Sequence, residues 1–342
     1  MMKKIKCFFM TFLDKVKNNY KNIIAFFLPI IIALFLLIPV DYYITIGGGV
    51  ISIDDSIKVE NEKDGKGSFN SAYVSQTKGT IISYLLSFII DDFEREKIED
   101  IVINNEDIEA YKFREEMMFK SSLSNATKVA YESAGKDIVL SNNSFKVIYV
   151  DSYANTDILV GDEIIKVDNI LIKDMNKIRE IIFNKEVGES INILVRRDDK
   201  EIEVSAKIYG DKLEKKIGIA LMNDFSYKTT PKIEFDFSGR EAGSSGGLIM
   251  SLSIYNKLVD KDITKGYKIV GTGTIEYDGS VGEIGGVKYK LMGAVKDKAD
   301  VFLVPVDNYE EAKRIVDESD YDIKLIKVSS FNDAISKLNQ LG

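Results

Sequence analysis

The sequence predicts an α+β protein in which an N-terminal membrane-spanning helix is followed by two folded domains. Three observations support this fold class. One long apolar run lies near the N-terminus, the middle of the chain alternates short β-like runs with tight turns, and the C-terminal part alternates strands with apolar helix patterns. The chain has 342 residues, of which 45% are hydrophobic, and this is enough for two modest domains with their own cores.

Composition excludes several kinds of catalytic site. Histidine is absent and Cys7 is the one cysteine. The sequence therefore excludes Ser-His-Asp and Cys-His mechanisms, HExxH zinc sites and a disulfide framework. If the protein is an enzyme, lysine, carboxylate or hydroxyl groups must donate and accept the protons that its reaction transfers.

The net charge of −8 is unevenly distributed, because residues 1–40 carry +5 and residues 41–342 carry −13. An acidic body argues against nucleic acid as a partner, since phosphate binding needs a basic face. No GxxxxGK[ST] loop occurs, so nucleotide binding of the P-loop type is not expected. We expect no cofactor and no metal.

From Ile23 to Val40 the chain has 18 consecutive residues without a charged side chain, which as a helix would span roughly 27 Å. This predicts a transmembrane helix over 23–40. Lysines flank only its N-terminal side, so residues 1–22 are expected to form a cytoplasmic tail, with the rest outside a cell membrane crossed once. A buried core helix and a cleaved signal peptide are the alternatives, but the run is long for a signal peptide and lacks a small-residue cleavage site.

Residues 41–136 predict a β-rich and helical region. Its clearest element is a helix from about 106 to 134, which contains no proline or glycine and ends at Gly135.

Residues 137–210 predict an antiparallel β-domain with one helix. Asp174 is a helix cap, and the apolar residues that follow fall on one helix face: Ile178, Ile181 and Ile182. The stretch from Val160 to Asn169, VGDEIIKVDN, resembles the corresponding motif of PDZ domains. The resemblance implies a partly open β-barrel that binds peptides by strand addition. A β-domain without a ligand is the alternative, and no glycine-rich carboxylate loop precedes Phe145, so binding of C-termini or of internal segments stays open.

Two segments carry the candidate chemistry. In the first, the small-residue turn Gly243-Ser244-Ser245-Gly246-Gly247 follows a β-like run and precedes an apolar helix pattern. A serine there lies beside unpaired N–H groups, where a nucleophile and an oxyanion hole could form. By itself the turn fits a helix cap or a phosphate-binding loop equally well. It also matches the nucleophile elbow of α/β-hydrolases, but that fold needs a histidine.

The second segment contains Thr272-Gly273-Thr274-Ile275 and, further on, Ile284-Gly285-Gly286-Val287-Lys288-Tyr289-Lys290 at the start of a helix. Lys288 is predicted to lie in the first helical turn, where the helix dipole and partial burial disfavour the ammonium form, as a lysine base requires. Lys290 is expected to face solvent. The simpler interpretation of Lys288 is a surface lysine.

Together the two segments resemble the proteolytic domain of Lon over residues 214–342, whose motifs are G-P-S-A-G, T-G-x-I and I-G-G-x-K-x-K. Ser244 and Gly246 replace the motif's proline and alanine, and Ala242 stands where an acidic residue is frequent. The resemblance implies Ser245 as nucleophile and Lys288 as general base. It also implies supporting roles for Thr272, in orienting the lysine, and for Gly243, in binding the oxyanion.

The order of anchor, PDZ-like domain and Lon-like domain resembles the membrane-anchored PDZ-containing Lon-like proteases of bacteria. It implies an ATP-independent serine endopeptidase with a Ser-Lys dyad that acts on protein or peptide substrates, with homo-oligomers as in Lon-like rings. The alternative is a non-catalytic, membrane-tethered PDZ scaffold with a degenerate Lon-like domain.

Overall fold

The computed structural model of the chain describes residues 20–22, 24–63, 65–90, 92–102, 106–211, 213–239 and 241–342. These residues divide into two compact units. One takes its residues from Met1–Ile46 and Gln76–Ile101, and the other comprises Gly47–Ser75 and Val102–Gly342.

The first unit contains helical residues 24–36 and parts of two long strands, whose remaining residues belong to the second unit. Within it, residues 42–46 of the first strand pair antiparallel with residues 93–97. In chain order, the elements up to residue 101 are β1 (Pro39–Ser52), β2 (Ile57–Val59), β3 (Ser68–Thr80), α1 (Ile81–Leu86), β4 (Phe93–Lys97) and α2 (Ile98–Ile101). Strand β2 belongs to the second unit.

The predicted transmembrane helix over 23–40 is wrong. Residues 20–22 and 24–36 are helical, and Pro39 already begins β1. A proline disfavours the helical conformation of the residue before it, and the apolar run changes from helix to strand at its C-terminal end. None of the helices in the described ranges combines the length and apolar character that a membrane crossing needs. The predicted single-pass localisation and the membrane as partner are therefore not supported, and residues 1–19 of the predicted tail lie outside the described part.

The second unit is built on a mainly parallel sheet with the strand order β16-β15-β14-β3-β1. The parallel pairs are β3 with β14, β14 with β15, and β15 with β16. Strand β15 is buried along its whole length, as parallel strands covered on both faces are. The elements of this part are β14 (Lys268–Gly271), β15 (Val301–Pro305), β16 (Lys324–Val328), α5 (Gly247–Leu258), α6 (Val287–Lys296), α7 (Tyr309–Ser319) and α8 (Phe331–Asn339).

Successive strand residues point to opposite faces of this sheet and enter different cores. Ile269 packs with Leu252 of α5 and Phe331 of α8. Its neighbour Val270 packs with Leu291 of α6, in the core on the other face. The sheet is thus sandwiched between two helical layers.

The predicted β-domain is an antiparallel sheet with the order β12-β5-β6-β8-β9. The cap at Asp174 is confirmed, because its side chain accepts a hydrogen bond from Asn176 N and the three isoleucines of that helix are buried. Asp168 and Asn169 form a tight turn, with φ of 46° and 65°. The elements are β5 (Asp137–Val150), β6 (Glu163–Val167), β7 (Ile170–Leu171), α4 (Met175–Phe183), β8 (Ser190–Arg197), β9 (Lys200–Lys207), β10 (Tyr209–Gly210), β11 (Lys215–Lys216), β12 (Ile219–Thr230) and β13 (Ile233–Phe235).

One long helix, α3 (Ile108–Ser133), connects the parts of the second unit. The prediction of a helix ended by Gly135 is confirmed, and Gly135 has φ of 63°, a left-handed conformation that favours glycine. Helix α3 packs on α5 and on strands β5 and β12. The predicted region 41–136 therefore contributes residues of β3 and of α3 to the same core as α5.

Candidate active site

The candidate nucleophile Ser245 lies in the turn that leads into α5, and its side chain is half-buried. Helix α5 is buried nearly all round, so its N-terminus is held firmly against the sheet. The carbonyl of Ser245 accepts hydrogen bonds from Gly273 N at 2.7 Å and from Thr272 Oγ1 at 3.1 Å. These bonds attach the nucleophile turn to the chain that leaves β14.

Helix α3 supports the same turn from the other side. Ser122 Oγ donates to the carbonyl of Ser244 at 3.1 Å, and the carbonyl of Glu115 accepts from Gly243 N at 3.0 Å. Gly243 has φ of 72°, which favours glycine. A Cβ at Gly247 would lie 2.5 Å from Ser122 Oγ, so glycine is also needed for this close approach.

Lys290 is the most unusual ionisable residue near this turn. It is 4% exposed, and its Nζ donates to Thr272 Oγ1 at 3.3 Å, which in turn donates to the Ser245 carbonyl. Burial lowers the pKa of Lys290 to about 8, because removal from water penalises the ammonium form. Near neutral pH a usable fraction of this amine is therefore unprotonated, as a general base requires.

The other predicted lysine has a different environment. Lys288 lies in the first turn of α6 as predicted, but it is half-buried and its Nζ lies 5.4 Å from the ring centroid of Tyr289. The expectation that Lys290 faces solvent is wrong. It lies on the helix face of Val287, Leu291 and Ala294, which are buried in the core.

The remaining predicted residues lie near one another. Thr272 is fully buried and contacts both the Ser245 carbonyl and Lys290. Gly243 precedes the candidate nucleophile by two residues, and its N–H donates to the Glu115 carbonyl. Ser122 and Glu115 were missed by sequence reasoning, because nothing local links α3 to a turn more than 120 residues away.

A cavity of about 380 Å³ opens beside Ser245. It lies between β1, β3, α3 and the segment before α5. Its lining includes Ile51, Ile53, Tyr73, Phe119, Phe237, Glu241, Ala242, Gly246 and Met250.

A second cavity, of about 720 Å³, lies between α4 and the chain that enters β12. Phe183 of α4 lies at this groove and is 60% exposed. Lys215, on the opposite side, donates to the Phe183 carbonyl at 2.9 Å. The groove thus lies beside one helix and one strand, as strand addition to a PDZ fold requires.

Comparison with known protein families identifies two regions of the chain. Residues 238–340 match the Lon protease (S16) C-terminal proteolytic domain, and residues 129–208 match the PDZ domain. The first match includes the nucleophile turn and both lysines. The second includes the groove helix α4.

Individual proteins are also similar to parts of the chain. A Lon protease of Campylobacter jejuni is 29% identical over 179 residues, which are 52% of this chain and 22% of that protein. A serine protease Do-like HtrA of Lactobacillus helveticus is 28% identical over 99 residues, 29% of this chain and 20% of that protein. The chain thus spans about a fifth of the length of these relatives. Among solved structures, the PDZ domain of an SdrC-like protein from Listeria monocytogenes is 24% identical, with a TM-score of 0.22, over 24% of this chain and 92% of that one.

Proposed function

Because the chain contains a Lon protease proteolytic domain and a PDZ domain, we propose that it is a serine endopeptidase with a Ser245–Lys290 dyad. The observation that supports this most is the buried amine of Lys290, hydrogen-bonded to the same threonine hydroxyl that bonds the nucleophile turn. Burial of an ammonium group costs folding free energy. Lysines with a pKa lowered by burial are concentrated at functional sites, and this favours a functional role for Lys290.

The proposed base differs from the one expected from the motif. We propose Lys290 in place of Lys288 because Lys290 is buried, has a lowered pKa and reaches Thr272. Lys288 is half-buried at the start of α6. Both residues belong to the same G-G-x-K-x-K pattern, which does not by itself distinguish them.

In the acylation step, the hydroxyl of Ser245 attacks the carbonyl carbon of the scissile peptide bond while neutral Lys290 accepts its proton. The resulting ammonium then donates that proton to the leaving amine, and the C–N bond breaks. In the second step Lys290 accepts a proton from water, which attacks the carbonyl carbon of the acyl-enzyme. The ester C–O bond to Ser245 breaks, Lys290 returns the proton to Ser245 Oγ, and the new carboxyl terminus is released. Neither step uses a nucleotide or a metal, so we propose an ATP-independent reaction.

The oxyanion that forms in each step needs N–H donors. The amide of Gly243 donates to Glu115. We therefore assign this role to the backbone N–H groups of the turn at Ser245 and Gly246, where α5 begins and its dipole favours negative charge.

The PDZ domain is proposed to bind a segment of the protein substrate in the groove beside α4. Strand addition supplies affinity through main-chain hydrogen bonds, and the exposed apolar side chains of the groove supply selectivity. Protein and peptide substrates are the expected partners.

The proposal is tested by peptide cleavage with purified full-length chain. Ser245→Ala should abolish cleavage, whereas its matched neighbour Ser244→Ala should keep most of it, because only Ser245 is assigned a reacting hydroxyl. Loss of activity in Ser244→Ala together with retention in Ser245→Ala would show that the nucleophile is the other serine. Equal activity in both variants and the unmodified chain would contradict the proposed function.

A further inference from the structure

A third cavity, of about 490 Å³, lies between helix α3 and strands β12 and β13. Its lining includes Leu123, Ser124 and Thr127 of α3, residues 224–229 of β12, and Ile233 and Phe235 of β13. We propose that this cavity, here called the α3 cleft, binds an extended, acidic segment of the substrate polypeptide as an additional strand on β12. The inference rests on the proposed function in one respect, because it takes the bound polypeptide to be a substrate.

The α3 cleft lies outside both regions of family similarity. Its α3 residues precede residue 129, where the PDZ match begins. Its β12 and β13 residues lie between residue 208, where the PDZ match ends, and residue 238, where the Lon match begins. The cleft is therefore formed by the segments that join the two domains of this chain.

Strand β12 is the terminal strand of its sheet, so one of its main-chain edges has no neighbouring strand. Val147 of β5 lies opposite Leu221, but its N–H and carbonyl bond residues 161–162, on the side away from β12. Leu221 and Val147 are thus a non-hydrogen-bonded pair, in which the main-chain groups of both residues point away from the partner strand. Leu221 therefore directs its N–H and carbonyl to the open edge, as do Asn223 and Phe225, which follow at two-residue steps before the next register shift.

A hydrogen bond from α3 supports this direction at Phe225. Ser124 Oγ donates to the Phe225 carbonyl at 3.0 Å, and α3 does not belong to the sheet. Leu221 lines the groove beside α4, whereas Phe225 lines the α3 cleft. The same open edge thus leads from the groove to the cleft over about 13 Å, and one extended segment can occupy both.

Asn223 lies between the groove and the cleft. Its side-chain Oδ1 is buried and, among the described residues, accepts no hydrogen bond. A buried carbonyl oxygen without a donor costs free energy and is uncommon in native proteins. A polypeptide bound along this edge brings N–H donors to the neighbourhood of Asn223.

The charges of the α3 cleft favour an acidic segment. Its lining contains three lysines and one carboxylate, namely Lys120, Lys228, Lys232 and Asp224. Lys120 and Lys232 also form ion pairs with glutamates outside the lining, but all four side chains are at least 50% exposed, so these pairs are weak. This cluster of positive charge lies in a part of the chain, residues 41–342, whose net charge is −13.

The α3 cleft also adjoins the cavity beside Ser245. Phe235 lines the cleft and Phe237 lines the cavity, and the centroids of their rings are 6.2 Å apart. On α3, Lys120 of the cleft follows Phe119 of the cavity. A segment bound in the cleft therefore lies beside the place where the scissile bond must approach the nucleophile, and this identifies the segment as part of the substrate.

Binding is tested with the full Ser245→Ala chain, which should not cleave the probe. The probe is a fluorescein-labelled, terminally blocked ten-residue peptide of alternating Val and Glu, and fluorescence anisotropy gives its Kd. We expect it to bind at least about tenfold more tightly than the corresponding Val-Lys peptide, because of the lysines of the cleft. Methylation of its six central amide nitrogens should weaken binding by at least about tenfold, because these groups bond the open edge of β12.

Two double variants of the Ser245→Ala chain locate the binding site. Lys228→Glu with Lys232→Glu should raise the Kd of the Val-Glu peptide by at least about tenfold. Lys200→Glu with Lys207→Glu is the matched control, since it makes the same change in charge at two exposed lysines of β9 that do not line the cleft, and its Kd should stay unchanged. Circular dichroism of each variant verifies folding.

Cleavage by the active chain tests whether the bound segment belongs to the substrate. A Val-Glu segment joined to a cleavable peptide should lower KM by about tenfold relative to a Val-Lys segment, with kcat little changed. Equal KM values for the two substrates would show that the cleft does not bind the polypeptide being cleaved.

The outcomes separate this inference from the proposed function. No binding, equal binding of the acidic and basic peptides, no effect of methylation, or equal losses in the two double variants would each overturn the assignment of the α3 cleft, while the peptidase would stand. The expected pattern of binding in a chain whose active form cleaves no peptide would support the cleft as a polypeptide-binding surface and contradict the proposed function.

Discussion

The Nζ of Lys290 lies 3.3 Å from Thr272 Oγ1, in a part of the interior where both residues are almost wholly buried. The same hydroxyl donates to the Ser245 carbonyl. One threonine thus connects the lysine of α6 with the turn before α5. Two elements that are separate in sequence are positioned by one short side chain.

The lowered pKa of Lys290 predicts how activity depends on pH. The base must be unprotonated, and the neutral fraction of an amine with a pKa of about 8 increases as the pH rises. We expect kcat/KM for peptide cleavage to rise about tenfold per pH unit below that pKa and to level off above it. A pH–rate profile from about 5.5 to 10 measures this, and a profile that is flat or falls between about pH 6 and 9 would contradict it.

The same pKa predicts a pH-dependent cost in stability. The pKa of Lys290 falls from the ordinary lysine value of 10.5 to about 8 in the folded chain, so the unfolded chain binds more protons between these values. The penalty is complete below about pH 8 and disappears as the pH rises towards 10.5. Below about pH 8 this penalty lowers the free energy of unfolding by at most roughly 3 kcal/mol.

Lys290→Met removes this penalty, since its side chain has similar length and no charge. We expect the variant to have a higher free energy of unfolding than the unmodified chain at about pH 7, and the difference to shrink between about pH 8 and 10. Urea unfolding at a series of pH values measures it, with Lys288→Met as the control. A difference that is negative near neutral pH, or unchanged with pH, would show that Lys290 is not charged and buried as described.

Thr272 predicts a positioning effect that a purely structural role would not produce. Thr272→Val keeps the shape but removes the hydroxyl, and we expect kcat to fall about ten- to a hundredfold with KM little changed. Thr272→Ser restores the hydroxyl and should recover most of the activity. Steady-state kinetics and melting temperatures of both variants measure the contribution of the hydroxyl. A serine variant as inactive as the valine variant would show that Thr272 contributes only to packing.

The groove beside α4 predicts a difference between protein and peptide substrates. Phe183→Asp places a charge in the groove, and we expect cleavage of reduced, carboxymethylated α-lactalbumin to fall about tenfold while a ten-residue peptide is unaffected. Leu171→Asp is the matched control, because Leu171 is 52% exposed on β7 and does not line the groove. Equal losses for protein and peptide would indicate a structural role for the groove.

Local signals in the sequence predicted several elements well. The cap at Asp174, the apolar spacing after it and the glycine at 135 indicated helices α4 and α3 with nearly correct bounds. The small-residue turn at Ser245 was likewise recognised as the start of a buried helix. In each case the signal depends on residues within one or two helical turns.

Other features depend on contacts that no local pattern contains. Strand β3 pairs with β14 through residues 200 positions apart, as Ser68 with Lys268, so its place in the main sheet could not be read from either strand alone. The apolar run that ends at Val40 contains Pro39, and β1 begins at this residue. The burial of Lys290, by contrast, has a local signal in the sequence. The helical period places Lys290 on the same face as Val287 and Leu291, which are buried in the core.

The central claim, that Ser245 is activated by Lys290, is tested most directly by labelling with a fluorophosphonate probe. Peptide mapping then identifies the modified serine in the unmodified chain, in Lys290→Met and in Lys288→Met, with circular dichroism to confirm folding. We expect a label on Ser245 in the unmodified chain and in Lys288→Met, and its loss in folded Lys290→Met. A label on Ser245 that persists in Lys290→Met and disappears in Lys288→Met would contradict the claim and return the base to Lys288.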